Sequence, residues 1–248
     1  MYGFHQAFRT LAAIAVTAFF VVAGIAAPAV AMPVTIDFET DGNGAALAPG
    51  ATIAGNEWAN LGITLSSTNG ALRLFDSNCG PGFGTTCTGG DGDLGTGFDF
   101  AGHGDLNNAP PQGNVLIRQN LPHNGEPDDS GAAGTIRFDF DHHVRLISIA
   151  LLDNDNGPGI TLNIFKNNEA LPSTTILRPS VDFNNFFETF LFAGDATWVT
   201  RLDVVFPSSG AIAALTVSPV PLPAALPLLL SALAWLGWAA RRRRRITV

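Results

Sequence analysis

Several patterns on which enzyme chemistry depends are missing from this sequence. It has neither the G-x-S-x-G turn that presents a nucleophilic serine nor the H-E-x-x-H zinc motif. Two of its five histidines, His142 and His143, are adjacent, so on a strand they would point to opposite faces and could not chelate one metal together. His103 and His123 stand near acidic residues in stretches typical of solvated loops. We therefore predict that the protein is not an enzyme.

Cysteine is scarce, which excludes a disulfide-dense scaffold and the familiar zinc sites. The two cysteines, Cys79 and Cys87, bracket the glycine-rich stretch GPGFGTT. No second ligand pair stands at a zinc-site spacing. In an exported chain, two cysteines this close predict a local disulfide that closes one loop.

Basic residues are few outside the two ends of the chain. Residues 32–220 contain all 21 acidic residues but seven basic ones, a formal charge of −14 against −8 for the whole chain. Such a domain repels nucleic acid and phosphate groups, and it is compatible with divalent cations or neutral glycans. We expect no nucleic-acid partner.

Residues 1–31 have the organisation of a signal peptide. Arg9 precedes the apolar stretch LAAIAVTAFFVVAGIAA, and Ala29-Val30-Ala31 supplies a small-residue cleavage pattern. The mature chain is predicted to start at Met32. An uncleaved N-terminal anchor is the alternative, because the apolar stretch is slightly long for a signal peptide.

Residues 219–248 combine a proline motif, an apolar run and a basic cluster. The uncharged run from Ala224 to Ala240 would span about 26 Å as a helix, close to the roughly 30 Å of a hydrocarbon core. The signal peptide places residues 32–218 outside the cell, and the positive-inside rule keeps five arginines inside. These arginines are Arg241, Arg242, Arg243, Arg244 and Arg245. Both ends thus predict the same topology.

The amino-acid motif in this tail is more specific than a plain single-span membrane anchor requires. A plain anchor is the alternative interpretation. Its motif consists of Val220, Pro221, Leu222, Pro223 and Ala224. Motif, helix and arginine cluster together resemble the VPLPA variant of the PEP-CTERM sorting signal. The resemblance implies processing near the motif by an exosortase, a membrane-embedded cysteine protease. It also implies an inner-membrane-tethered precursor, delivered to the cell surface or extracellular matrix of a Gram-negative bacterium that makes exopolysaccharide.

Between the two ends, helical periodicity is absent and short alternating runs recur between Gly, Pro, Asn and Asp. Half-buried strands are predicted at 34–39, 135–141 and 201–206, and a central strand at 144–152, which is apolar on both faces. Further strands are predicted at 61–66, 71–75, 114–119, 160–165, 174–178, 186–192 and 211–217. About ten strands exceed one open sheet of this size, so we predict an all-β, antiparallel two-sheet sandwich of jelly-roll type over residues 32–218. Residues 218–223 are predicted to form an extended spacer.

Acidic side chains cluster in stretches rich in Gly and Asn. The candidate ligands are Asp91, Asp93, Asp128, Asp129, Asp153 and Asp155. Asp-x-Asp in a glycine-rich loop suits Ca²⁺, which takes six to eight oxygen ligands, and Asp91 and Asp93 are the first candidates. The stretch DGDLGTG nevertheless lacks the sixth-position Gly and the closing Glu of the EF-hand loop. The alternative is that these residues only form turns.

A second resemblance covers the domain. The stretches GGDGDLGTG, GNVLIRQN, PDDSGAAGTIRFDFD and SIALLDNDN occur in that order. They resemble a family of secreted β-sandwich proteins that often carry the same sorting tail, and the domain is also similar to jelly-roll carbohydrate-binding modules. Members of that family often end the domain with an Ile-Asp-Asn strand, whereas here Ala213 and Ala214 replace the polar pair.

The resulting hypothesis is an exported surface or matrix protein with a non-enzymatic structural or adhesive role in the exopolysaccharide or biofilm layer. The second hypothesis is a carbohydrate-binding module, for which Trp58, Trp198 and Phe83 are the candidate aromatic platforms. Trp58, at a strand start, is also a typical core residue. A glycan hydrolase comes third. It would need two carboxylates placed across a sugar, and spacing selects no pair among 21 acidic residues.

Overall fold

The computed structural model describes residues 32–79, 94–95, 112–119, 127–154, 158–180, 187–194 and 196–220, together with Leu233, Trp235 and Leu236. Met32–Val220 forms one compact unit, and the strands, core and candidate sites described below belong to it.

The described part of this unit is all-β, as predicted. The strands are β1 (Val34–Ile36), β2 (Ile63–Ser67), β3 (Ala71–Asp76), β4 (Asn114–Gln119), β5 (Gly134–Leu152), β6 (Ile160–Lys166), β7 (Thr174–Arg178), β8 (Phe187–Leu191), β9 (Val199–Phe206) and β10 (Ala211–Pro219). Every pair is antiparallel. The two runs predicted at 135–141 and 144–152 are one 19-residue strand, β5.

Strand β5 organises the sheet because its two halves have different neighbours. Its first half, Gly134–Phe140, pairs with β9 and β2. Its second half, Val144–Leu152, pairs with β10 and β8, and only Val144 of this half still pairs with β9. The register with β9 shifts between Asp139 and Val144, an irregularity of the kind that bends and twists a strand. The main path of strands is β3-β4-β10-β5-β9-β6-β7, with β1 on β10 and with β2 and β8 on β5.

The strands form two groups, one around the first half of β5 and one around its second half. The inward-facing residues of both groups contribute to one hydrophobic core. Phe138, Leu162 and Leu202 come from the group around the first half of β5, and Leu151 and Leu215 from the group around its second half. Alternation along each strand places these side chains on one face.

Trp58 belongs to the same core. It is 2% exposed, its indole N–H donates to the carbonyl oxygen of Thr40 at 3.1 Å, and its ring meets Phe38 edge-on at 5.6 Å. The interpretation of Trp58 as a core residue is confirmed, and it is not a ligand platform.

The last residues of β5, Ile149–Leu152, are covered on both faces. Ala150 and Leu152 lie in a smaller apolar cluster with Ala213, Ile117 and Leu94, while Ile149 and Leu151 face the main core. The prediction of a central strand with two apolar faces is confirmed for Ile149–Leu152, whereas Arg145 is exposed and the residues at 147–148 are half-buried. Ala213 is buried in this cluster, where a polar side chain without a hydrogen-bond partner would be unfavourable.

Strand β10 extends further than the sequence predicted. Ser218 and Pro219 pair with Arg145 and Val144, and the N–H of Val220 donates to the carbonyl oxygen of His143 at 2.9 Å. The extended spacer predicted at 218–223 is therefore wrong for its first residues. Proline is tolerated here because the strand ends at this residue.

The two ends of the chain fall almost entirely outside the described residues. This holds for the signal peptide at 1–31, for the motif residues from Pro221 to Ala224 and for the cluster from Arg241 to Arg245. Within the described residues, no helix is both long enough and apolar enough to cross a membrane.

Candidate functional site

The predicted calcium ligands are only partly described. Asp91, Asp93 and Asp155 lie outside the described residues. The carboxylate of Asp129 accepts a hydrogen bond from the backbone N–H of Gly210. Over the part of the chain that is described, no group of three or more His, Cys, Asp or Glu residues could hold a metal ion. Calcium binding stays a prediction.

The turn that follows β5 shows how such residues serve the fold itself. The side chain of Asn154 donates to the carbonyl oxygens of Arg178 and Pro179, both at 3.1 Å, and accepts from the N–H of Ile160 at 3.0 Å. Asp153 is buried beside it and has a positive φ of 58°. Asn154 thus acts as a turn-forming residue, as the alternative to a calcium site supposes.

Cys79 is buried and disulfide-bonded. Cys87 lies outside the described residues.

Trp198 is the exposed aromatic side chain in the described part of the unit. Trp198 is 45% exposed, and its backbone has a φ of 63°. This is the left-handed region, which costs a non-glycine residue about 1–2 kcal/mol. Trp198 thus combines exposed apolar surface with backbone strain.

Three contacts fix the position of Trp198. The ring of His143 meets it edge-on, with centroids 5.3 Å apart and planes at 71°. The carbonyl oxygen of Trp198 accepts from the N–H of Asn167 at 3.3 Å. The next residue, Val199, is fully buried and pairs with Val144 and Lys166. The indole is therefore held where β5 changes partners.

This arrangement has a defined chemical capacity. A flat indole held in one orientation can stack on the apolar face of a sugar ring. The imidazole of His143 offers one nitrogen donor and one acceptor in its neutral form, both suited to sugar hydroxyls. Of the three aromatic candidates, Trp198 is the one the structure leaves exposed, Trp58 is buried, and Phe83 lies outside the described residues.

A charged quartet that sequence analysis did not identify lies on β5 and β9. It consists of Arg137, Asp139, Arg201 and Asp203, and the register sets Arg137 opposite Asp203 and Asp139 opposite Arg201. Arg137 donates to both carboxylate oxygens of Asp203, from Nε at 2.8 Å and from Nη2 at 3.1 Å. Nε of Arg201 lies 3.5 Å from the same carboxylate. Asp203 is thus a buried carboxylate between two arginines.

Hydrogen bonding and burial shift two pKa values in this quartet. The hydrogen bonds to Asp203 raise the pKa of Arg137. Burial raises the pKa of Asp139, although the nearby Arg137 and Arg201 oppose this shift. The signal in the sequence was the repeated pattern Arg-x-Asp at 137–139 and 201–203, but only the antiparallel register brings the two copies together.

Comparisons with known proteins assign no family. No protein-family model matches the sequence, and no curated protein matches it. Among solved structures, a fucolectin (f-lectin) from the serum of the striped bass, Morone saxatilis, is 18% identical with a TM-score of 0.24. The match covers 38% of this chain and 36% of that chain, so this chain spans about a third of the length of that fucolectin.

Proposed function

We propose that this is an exported, non-enzymatic surface protein that adheres to polysaccharide in an exopolysaccharide or biofilm layer, and that Trp198 is its point of contact. The observation that carries the proposal is the exposed, left-handed Trp198 braced by His143. The fold we propose for the domain is a two-layer sandwich of jelly-roll type. This is supported by two strand groups that share β5 and one core.

The backbone conformation and the exposure of Trp198 both cost free energy. A glycine would adopt a φ of 63° without strain, and a polar residue would avoid exposing an indole to water. The chain instead carries both costs at one position. Strained residues cluster at binding sites; Phe38 has the same φ but is buried in the core, whereas Trp198 is exposed.

Charge narrows the class of ligand. Residues 32–220 carry a formal charge of −14, so an anionic polysaccharide would approach against repulsion. A neutral polysaccharide is not repelled by the negative electrostatic field of the domain. It can both stack on the indole and hydrogen-bond to the imidazole.

Export and sorting are supported by the sequence patterns at the two ends. We propose that residues 1–31 direct export and that the segment 219–248 tethers the precursor to the membrane until an exosortase-type protease acts near Val220–Ala224. The partners in this scheme are the membrane, the protease and polysaccharide, and Ca²⁺ bound near Asp91 and Asp93 is the proposed stabilising ion.

Affinity electrophoresis tests the adhesive function. Wild-type protein is expected to be retarded in a gel that contains the producing bacterium's polysaccharide, and Trp198→Ala should remove the retardation. Leu171→Ala is the matched control, because Leu171 is also an exposed apolar side chain, at 78% exposure, and it should leave the retardation intact. Equal mobility of the wild type with and without polysaccharide would reject the function. Release of reducing ends during incubation would reject the non-enzymatic assignment.

A further inference from the structure

The polar face around the charged quartet continues across five strands. Residues that alternate with the core residues of β2, β5, β9, β6 and β7 point away from the core. The pairing registers place them in two rows. One row contains Thr64, Asp139, Arg201 and Phe165, and the next contains Ser66, Arg137, Asp203, Asn163 and Thr175. We call these two rows the polar face.

Side chains of the polar face are bonded to one another. Arg137 holds Asp203 through two hydrogen bonds, and the hydroxyl of Thr175 donates to Oδ1 of Asn163 at 2.9 Å. The guanidinium of Arg201 lies 3.4 Å above the ring centroid of Phe165. These groups are therefore held in position before a ligand arrives, which lowers the entropic cost of binding.

The polar face has the dimensions of an extended ligand. Five strands at about 4.8 Å spacing span about 19 Å across the sheet. Trp198 immediately precedes β9, three residues before Arg201 and five before Asp203, so the chain between Trp198 and Asp203 spans at most about 17 Å. The exposed Trp198 thus stands immediately before the strand that contributes Arg201 and Asp203 to the polar face.

We infer that the polar face is a continuation of the Trp198 site and binds a neutral polysaccharide chain of several sugar residues. The inference rests on the proposed function. Sugar hydroxyls both donate and accept hydrogen bonds. The quartet offers them the partly exposed guanidinium groups of Arg137 and Arg201 beside the carboxylate of Asp139, while the buried Asp203 holds Arg137 in place. Its two arginines and two aspartates sum to zero charge in a domain of −14. A neutral chain therefore fits this face better than a polyanion does.

The test measures affinity against chain length. The probes are size-fractionated neutral oligosaccharides, released from the producing bacterium's polysaccharide by partial acid hydrolysis, with the anionic fraction run in parallel. Wild-type affinity is expected to rise with the length of the neutral oligosaccharides. The double variant Arg137→Met with Asp203→Leu removes both members of the bonded pair, which is tolerated better than removal of one. It should weaken binding of long oligosaccharides by about tenfold, the loss of about one charge-assisted hydrogen bond, and leave disaccharide binding unchanged.

A matched control comes from the other bidentate pair. Arg178 donates to Glu188 from Nε at 3.1 Å and from Nη2 at 2.5 Å, between β7 and β8. Arg178→Met with Glu188→Leu removes a pair of the same kind outside the two rows and should not alter binding. Asp139→Asn is the second variant on the polar face. It keeps the shape of the side chain and leaves the Arg137–Asp203 pair in place, so it serves if the double variant does not fold.

The outcomes separate the inference from the function on which it rests. Absence of binding by the wild type at any length rejects the proposed function. The inference alone is rejected if Trp198→Ala abolishes binding while neither the length of the oligosaccharide nor the polar-face variants change the affinity. Binding of the anionic fraction only also rejects it. Length-dependent binding that the polar-face variants weaken, and the control pair does not, supports it.

Discussion

Replacing Arg118 tests whether one buried guanidinium holds three segments of the domain together. Arg118 is 1% exposed. Its Nη2 donates to the carbonyl oxygens of Ser208 at 2.8 Å and Ala132 at 3.0 Å, and its Nη1 donates to that of Asn69 at 3.4 Å. The guanidinium also lies 5.4 Å from the ring centroid of Phe206. Burial lowers the pKa of Arg118, although the nearby Asp129 opposes this shift.

The expected magnitude follows from these contacts. Each of the two shorter hydrogen bonds from a charged donor contributes about 1.5–3 kcal/mol, so Arg118→Met should cost about 3–6 kcal/mol. Asn69 and Ala132 are exposed residues, so water would satisfy part of the freed carbonyls, which favours the lower end of this range, about 3 kcal/mol. This is a large fraction of the stability of a typical domain.

Substitution by lysine tests whether the shape of the guanidinium group, or only its positive charge, is needed at position 118. Arg118→Lys keeps the charge, but a single ammonium cannot reproduce the planar fork that reaches separate carbonyl groups. We expect it to be at least as destabilising as Arg118→Met, because it also leaves a poorly bonded buried cation.

The assay is urea unfolding followed by tryptophan fluorescence, with the free energy of unfolding from linear extrapolation. Arg145→Met, at an exposed arginine of β5, is the control and should change stability by less than about 0.5 kcal/mol. A Cβ at Gly134 would lie 2.2 Å from Nη1 of Arg118, so Gly134→Ala should cost less when combined with Arg118→Met than alone. An Arg118→Lys protein as stable as the wild type would refute the reasoning.

Three other predictions concern pH, calcium and processing. Burial raises the pKa of Asp139 above its ordinary value of 3.8, so its ionisation opposes folding. Asp139→Asn should therefore unfold at higher urea than the wild type at pH 7, and the difference should disappear as the pH falls below 3.8; a constant difference would contradict this sign. If Ca²⁺ binds near Asp91 and Asp93, a chelator should lower the melting temperature of the wild type but not that of the doubly alanine-substituted protein, and equal melting of the wild type with and without chelator would exclude the ion. Intact mass of protein from the medium should show a chain that starts at Met32 and ends at or after Val220, because the N–H of Val220 still bonds to the sheet; a membrane form that ends at Val248 would mean a permanent anchor.

The sequence predicted the strands well because their signal is local. Alternation of apolar and polar residues with a period of two depends only on which face of a strand is buried. The residues Ile136, Phe138 and Phe140 show it, and all three lie in the core. The join between 135–141 and 144–152 was missed because His142 and His143 interrupt the apolar pattern. In the structure β5 changes partners there and does not end.

Burial of individual aromatic and basic residues could not be predicted in the same way. Trp58 and Trp198 each stand three residues before a predicted strand, at 61–66 and 201–206, yet one is core and the other exposed. Arg118 lies in a strand whose six residues are all buried, where alternation alone would place its side chain toward solvent. Its environment depends on carbonyl groups from residues far away in the chain.

By itself, then, the sequence determined the all-β class, most of the strand positions and the acidic character of the domain, because period, turn residues and charge are properties of neighbouring residues. Only the tertiary structure decided where β5 changes partners and which tryptophan is exposed. It also brought the two Arg-x-Asp patterns into one quartet. Each of these depends on strand register and packing between residues distant in the chain, and a one-residue change in register would have paired different side chains.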